Sequence, residues 1–76
     1  MKRTVTYGDT VAIPVDSPLV NWRGAEVAVC GFRTVTGDQA AALSLVPGTL
    51  MILIERGDGT TIEVPASWLR VDDVTE

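Results

Sequence analysis

Seventy-six residues suffice for one domain with one modest core and exclude two, because a chain this short buries only about 60% of its extended surface. With 46% hydrophobic and 21% charged residues, the composition is that of a folded globular protein and not of a disordered chain. Ten acidic against six basic residues leave a net charge of −4, which repels a nucleic-acid phosphate backbone and suits a basic partner better.

The N-terminus carries the only clustered positive charges, Lys2 and Arg3, read as a solvated end. Tyr7-Gly8-Asp9 predicts a turn, and Val11, Ile13 and Val15 then alternate along one face of a half-buried strand. Pro14 offers no N–H to a ladder, which puts the end of that strand at an edge or bulge. Ser17-Pro18 and Asn21 favour turns, so Asp16 to Arg23 reads as an exposed loop, an unusually apolar one carrying Leu19, Val20 and Trp22. From Ala25 to Val35 a long curved strand is expected, with Val27 and Val29 on one face, Ala28, Cys30 and Phe32 on the other, and a bulge or bend at Gly31.

Thr36 or Asp38 can cap a short helix whose apolar side includes Ala42, Leu43 and Leu45, ended by Pro47-Gly48. Thr49 to Arg56 predicts a second long strand, Gly57-Asp58-Gly59 a tight turn, and Thr60 to Val64 the antiparallel return. Pro65 to Leu69 then reads as one helical turn, Arg70 to Asp72 as a short closing strand, and Asp73 to Glu76 as an acidic tail.

This order of elements resembles the SH3-like small β-barrel superfold. The resemblance rests on Gly8-Asp9-Thr10-Val11 before the first strand, Trp22-Arg23-Gly24 before the second, and Gly57-Asp58-Gly59 through Pro65-Ala66-Ser67-Trp68-Leu69. It implies an all-β, five-stranded barrel over residues 1–76, with a short helix in the connection between the long strands and a single helical turn before the last strand. Members of that superfold serve as peptide binders, ribosomal and transcription modules, complex subunits and, rarely, enzymes. Thr60 to Leu69 also resembles the pore strand of plasmid-type dihydrofolate reductases, which are barrels of this kind assembled as tetramers. Where that family has Val-Gln-Ile-Tyr before the proline, this chain has Thr61-Ile62-Glu63-Val64, without the amide and phenol that contact cofactor and substrate.

No catalytic residue is assigned. The chain has no histidine, the commonest general base near neutral pH and the commonest transition-metal ligand. Cys30 sits in an apolar strand with no Lys, Arg or His beside it in sequence, and reads as a packing residue. Asp72 and Asp73, being adjacent on an extended chain, point to opposite faces, so no metal site is expected, and no cofactor. Gly57-Asp58-Gly59 lies between strands and not before a helix, which makes it a hairpin turn and not a phosphate cradle.

Leu50-Met51-Ile52-Leu53-Ile54 is uniformly apolar, whereas a sheet with one wet face alternates. If Leu50, Ile52 and Ile54 fill the core, then Met51 and Leu53, with Cys30 and Phe32 on the neighbouring strand, need other cover, from either the helix or a second copy. The expected function is a non-enzymatic protein-interaction module or a small subunit of a larger complex, self-associating, with a protein or itself as partner. Its expected binding site is Asp16, Leu19, Val20 and Trp22, with Asp9, Asp16 and Asp58 as steering charges. The alternatives are a pore-type oligomeric enzyme built on Thr61 and Glu63, or a nucleic-acid-binding barrel, which the acidic balance disfavours. A lone cysteine and the absence of an 18-residue apolar run or an apolar N-terminal signal lead to the expectation of a cytoplasmic protein away from the membrane.

Overall fold

A computed structural model describes residues 3–75, so Lys2 and Glu76 lie outside the described residues. The chain is built mostly of strands: β1 (Thr4–Thr6), β2 (Thr10–Ala12), β3 (Glu26–Thr34), β4 (Leu50–Glu55), β5 (Thr61–Pro65) and β6 (Asp73–Thr75), with one short helix, α1 (Gly37–Ala42). Two single turns of 3-10 helix, Val20–Trp22 and Ala66–Leu69, complete the elements. The strands form a four-stranded sheet in the order β2-β3-β4-β5 and a separate two-stranded sheet, β1-β6, rather than one closed five-stranded barrel.

The second sheet departs from the sequence reading. Asp73–Thr75 is a strand and not a solvated tail, and it pairs in parallel with Thr4–Thr6. Hydrogen bonding at Arg3 explains the register: its carbonyl accepts the N–H groups of Asp72 at 2.8 Å and Asp73 at 3.3 Å. Its own N–H donates to the Asp72 carboxylate at 2.7 Å. The closing strand therefore begins at Asp73, beyond the expected Arg70 to Asp72. The alternation Thr4-Val5-Thr6 sends Val5 inward, where it is buried with Val71, and Val74 packs against the same core.

Between the two sheets lies the main core, in which Ile13, Val27, Val29, Ile52, Ile54, Val64 and Leu69 are almost wholly shielded from solvent. Period-two alternation supplies these residues: Val29 faces Ile54, and Ile52 faces Val64. Val15, expected to continue the inward face of β2, is 78% exposed, because β2 ends at Ala12 and the chain turns at Pro14. A bulge interrupts β3 between Val29 and Gly31. One extra residue inverts the face of everything after it. Phe32 thereby moves from the outer face assigned by simple alternation to the inner face opposite Ile52, packed against the core.

Thr36 caps α1, and a capping box joins it to Gln39, whose amide oxygen accepts the Thr36 N–H at 3.5 Å. The helix turns Ala40 inward, leaving Ala42 exposed and Leu43 half exposed, so its buried side differs from the expected Ala42-Leu43-Leu45 stripe. Ala40, Val35 and Met51 form a second buried cluster, with Leu45 packed against it. α1 thus covers Met51 on the outer face of the sheet.

Candidate functional site

The expected binding loop is folded onto the protein. Ser17 is buried, and its hydroxyl accepts the Leu19 N–H at 3.2 Å. The Arg23 guanidinium donates to the Ser17 carbonyl at 2.8 Å, which closes the segment around the Val20–Trp22 turn. Leu19 and Trp22 point into the main core, each 9% exposed, whereas Val20 is 64% exposed. Arg56 lies over the Trp22 ring, 4.3 Å from its centroid, in a cation–π contact. Asp16 is held by an ion pair with Arg70. Of the residues assigned to this site, Val20 offers apolar surface; Leu19 and Trp22 are core.

The three expected steering carboxylates all make local bonds. Asp9 accepts the Thr6 N–H at 2.9 Å. Asp58 accepts the Thr60 N–H at 3.0 Å, and that hydrogen bond holds its carboxyl below the ordinary aspartate range. Asp16 is paired as described. By contrast, Glu26, Asp38 and Glu55 are exposed and make no ion pair among the described residues.

Residues expected at a subunit interface are dispersed by the fold. Met51 lies beneath α1, Phe32 faces inward, Cys30 is the half-buried bulge residue, and Leu53 is half-buried opposite Gly31 on the outer face. Across that face Arg33 reaches over β4 to Glu63. Its Nε and Nη2 donate to the two carboxylate oxygens at 2.9 and 2.8 Å, a two-pronged pair spanning the rows of Met51 and Leu53. The hydrogen bonds from Arg33 hold the Glu63 carboxyl below its usual range.

A cleft of about 520 Å³ lies beside this pair. Leu43, Ser44 and Leu45, after α1, form one wall. The other wall is the sheet margin, with Met51 of β4, Ile62 to Pro65 of β5, and Trp68 from the following 3-10 turn. Apart from Ser44 and Glu63, the side chains lining it are apolar. Leu43 is 50% exposed and Trp68 partly so, which leaves apolar area at the mouth for a ligand to cover.

The margin of the cleft is also an open hydrogen-bonding edge. The Arg56 N–H donates to the Thr60 carbonyl at 2.9 Å, and this sets the phase of the β4-β5 ladder. In an antiparallel pair bonded and non-bonded pairs alternate, so Ile54 with Ile62, and Ile52 with Val64, are the bonded ones. Thr61, Glu63 and Pro65 consequently turn their backbone groups away from β4. With β5 last in its sheet, the N–H and C=O groups of Thr61 and Glu63 face outward, those of Glu63 beside the cleft, while Pro65 has no N–H and its carbonyl opens the following 3-10 turn. The opposite edge, β2, is three residues long and stops before Pro14.

No protein-family model, characterised protein or solved structure matches the chain. Among the described residues no helix is long and apolar enough to cross a membrane.

Proposed function

We propose that the protein is a non-enzymatic interaction module that accepts an extended segment of a partner protein as an added strand on β5. The observation that carries this reading is the adjacency of the outward-facing backbone groups of Thr61 and Glu63 to the apolar cleft between Leu43 to Leu45 and Trp68. In strand addition, main-chain hydrogen bonds supply affinity and pockets for alternate side chains supply selectivity. The cleft meets the second requirement directly beside the groups that meet the first.

The finer fold assignment belongs to the same reading. The order of a long folded loop, a long bulged strand, a hairpin, a single 3-10 turn and a short last strand supports an SH3-like architecture, here with the β1-β6 pair set apart from the four-stranded sheet. A cytoplasmic setting is supported by the free thiol of Cys30.

Amide chemical shifts in the labelled protein, titrated with a blocked hexapeptide of alternating valine and threonine, test the site. The expected result is a saturable change centred on the Thr61 and Glu63 amides and the Trp68 indole. A change confined to the Val20 loop would return the site to the segment first read from the sequence. The same measurement with NADPH separates the proposal from the pore-type enzyme, because saturable NADPH binding at Thr61 and Glu63 would overturn it.

A further inference from the structure

Resting on the strand-addition reading, we infer that the partner segment is basic as well as extended: it places Lys or Arg opposite Thr61 and apolar side chains opposite Glu63 and Pro65. The register of the sheet supplies the argument. Ala28, Glu55 and Thr61 form one row across its outer face, and Glu26 stands two residues before Ala28 on the same face. Among the described residues Glu55 and Glu26 have no cationic partner, whereas Glu63, one row along, is satisfied by Arg33. Thr61 is the short side chain between Glu55 and the open edge. A strand added beyond Thr61 lies two strand spacings from Glu55, about 10 Å, which a long basic side chain spans and a short one does not. Further along, Met51 and Pro65 share a row beneath the cleft. Guest residues there meet apolar walls.

For an antiparallel guest the pattern in chain order is apolar, any, apolar, any, basic. The first apolar residue stands opposite Pro65, the second opposite Glu63, and the basic residue opposite Thr61 with its charge toward Glu55.

A second copy of β5 fits this edge less well. Setting Glu63 against its own counterpart puts two carboxylates face to face and brings Pro65, which has no N–H, into a bonded position opposite Thr61. Sliding by two residues, so that Thr61 faces the copy's Glu63, brings that carboxylate into the row of Thr61 and Glu55. Both arrangements bring acidic side chains into one row, a pairing that the Arg33 contact to each Glu63 offsets but that brings no new cation to Glu55. The net charge of −4 on each copy adds to the repulsion.

Two blocked hexapeptides test the inference: Val-Thr-Val-Thr-Arg-Thr, and the same peptide with Glu in place of Arg, each titrated into labelled protein while the Thr61 and Glu63 amides are followed. The arginine peptide is expected to bind about three- to tenfold more tightly, and Glu55→Gln is expected to reduce the preference to less than about twofold. Equal affinities, or a preference that survives Glu55→Gln intact, would overturn the basic-partner inference and leave strand addition standing. No change with either peptide would overturn both. Concentration-dependent shifts of the same amides without peptide would overturn it in favour of a second copy.

Discussion

Truncating Met51 to alanine separates a side chain covered by α1 from one that waits for a partner. Met51 is 5% exposed and contacts Val35, Ala40 and Leu45 while lining the cleft. Removing a buried methionine to alanine costs about 2–5 kcal/mol, and the open cleft on one flank lets the site rehydrate, which puts this case near about 2 kcal/mol. In a domain of this size each kcal/mol moves the midpoint of thermal unfolding by about 4–8 °C, so a drop of about 8–16 °C is expected. Leu53→Ala, at a half-buried position, is expected to lose about half as much. Urea and thermal unfolding of the three proteins at two concentrations tenfold apart provide the measurement. A Met51→Ala loss below about 0.5 kcal/mol would refute the packing of α1 on this face. A loss that grows with protein concentration would refute intramolecular cover, because only an associating protein couples stability to concentration.

Trp22→Ala is expected to cost about 3 kcal/mol, since it empties a core position and leaves Arg56 without its ring; a change within about 0.5 kcal/mol in urea unfolding would restore Trp22 to the surface. Ser44 follows α1 with φ of 58°, a left-handed conformation that glycine adopts without a Cβ penalty, so Ser44→Gly is expected to raise stability by about 0.5–1 kcal/mol in thermal unfolding. The Glu63 carboxyl titrates lower in the folded protein than in the unfolded chain, so its contribution is present above about pH 4.3 and is lost as pH falls through the folded value. Glu63→Gln is therefore expected to flatten the acid side of the stability profile measured by urea unfolding between about pH 2 and 6, and an unchanged slope would show that the Arg33 pair contributes nothing.

Local chemistry was legible wherever one segment settled the outcome. Gly57-Asp58-Gly59 makes the hairpin, with Gly59 at φ 88° and its N–H returning to the Arg56 carbonyl at 3.0 Å. The uniformly apolar Leu50 to Ile54 announced a strand with cover on both sides, and α1 supplies that cover at Met51. Legibility failed where distant segments decide. Thr4-Val5-Thr6 and Asp73-Val74-Thr75 each alternate over three residues, too few to mark a strand alone, and each is fixed by pairing with the other across the length of the chain. In the loop, Pro18 and Asn21 signalled turns correctly, but the direction of Leu19 and Trp22 depends on Ser17 and Arg23 closing the segment over the core.

The cleft was hidden for a related reason. Its walls come from the end of α1 and from β5, which are joined only through the sheet, and neither has a motif of its own. The bulge at Cys30 is the local event on which the outer face depends: by inverting β3 it sends Phe32 inward and brings Arg33 to the outer side, opposite Met51. Without that inversion Arg33 would face the core and Glu63 would lose its partner. A carboxylate left free at Glu63 would draw a basic guest residue to the middle of the β5 edge, whereas the bulged strand neutralises that position and leaves Glu55, without an ion-pair partner among the described residues, near the end of the edge nearest the hairpin. The same inserted residue that sets the core therefore also sets where along the edge a guest strand carries its charge.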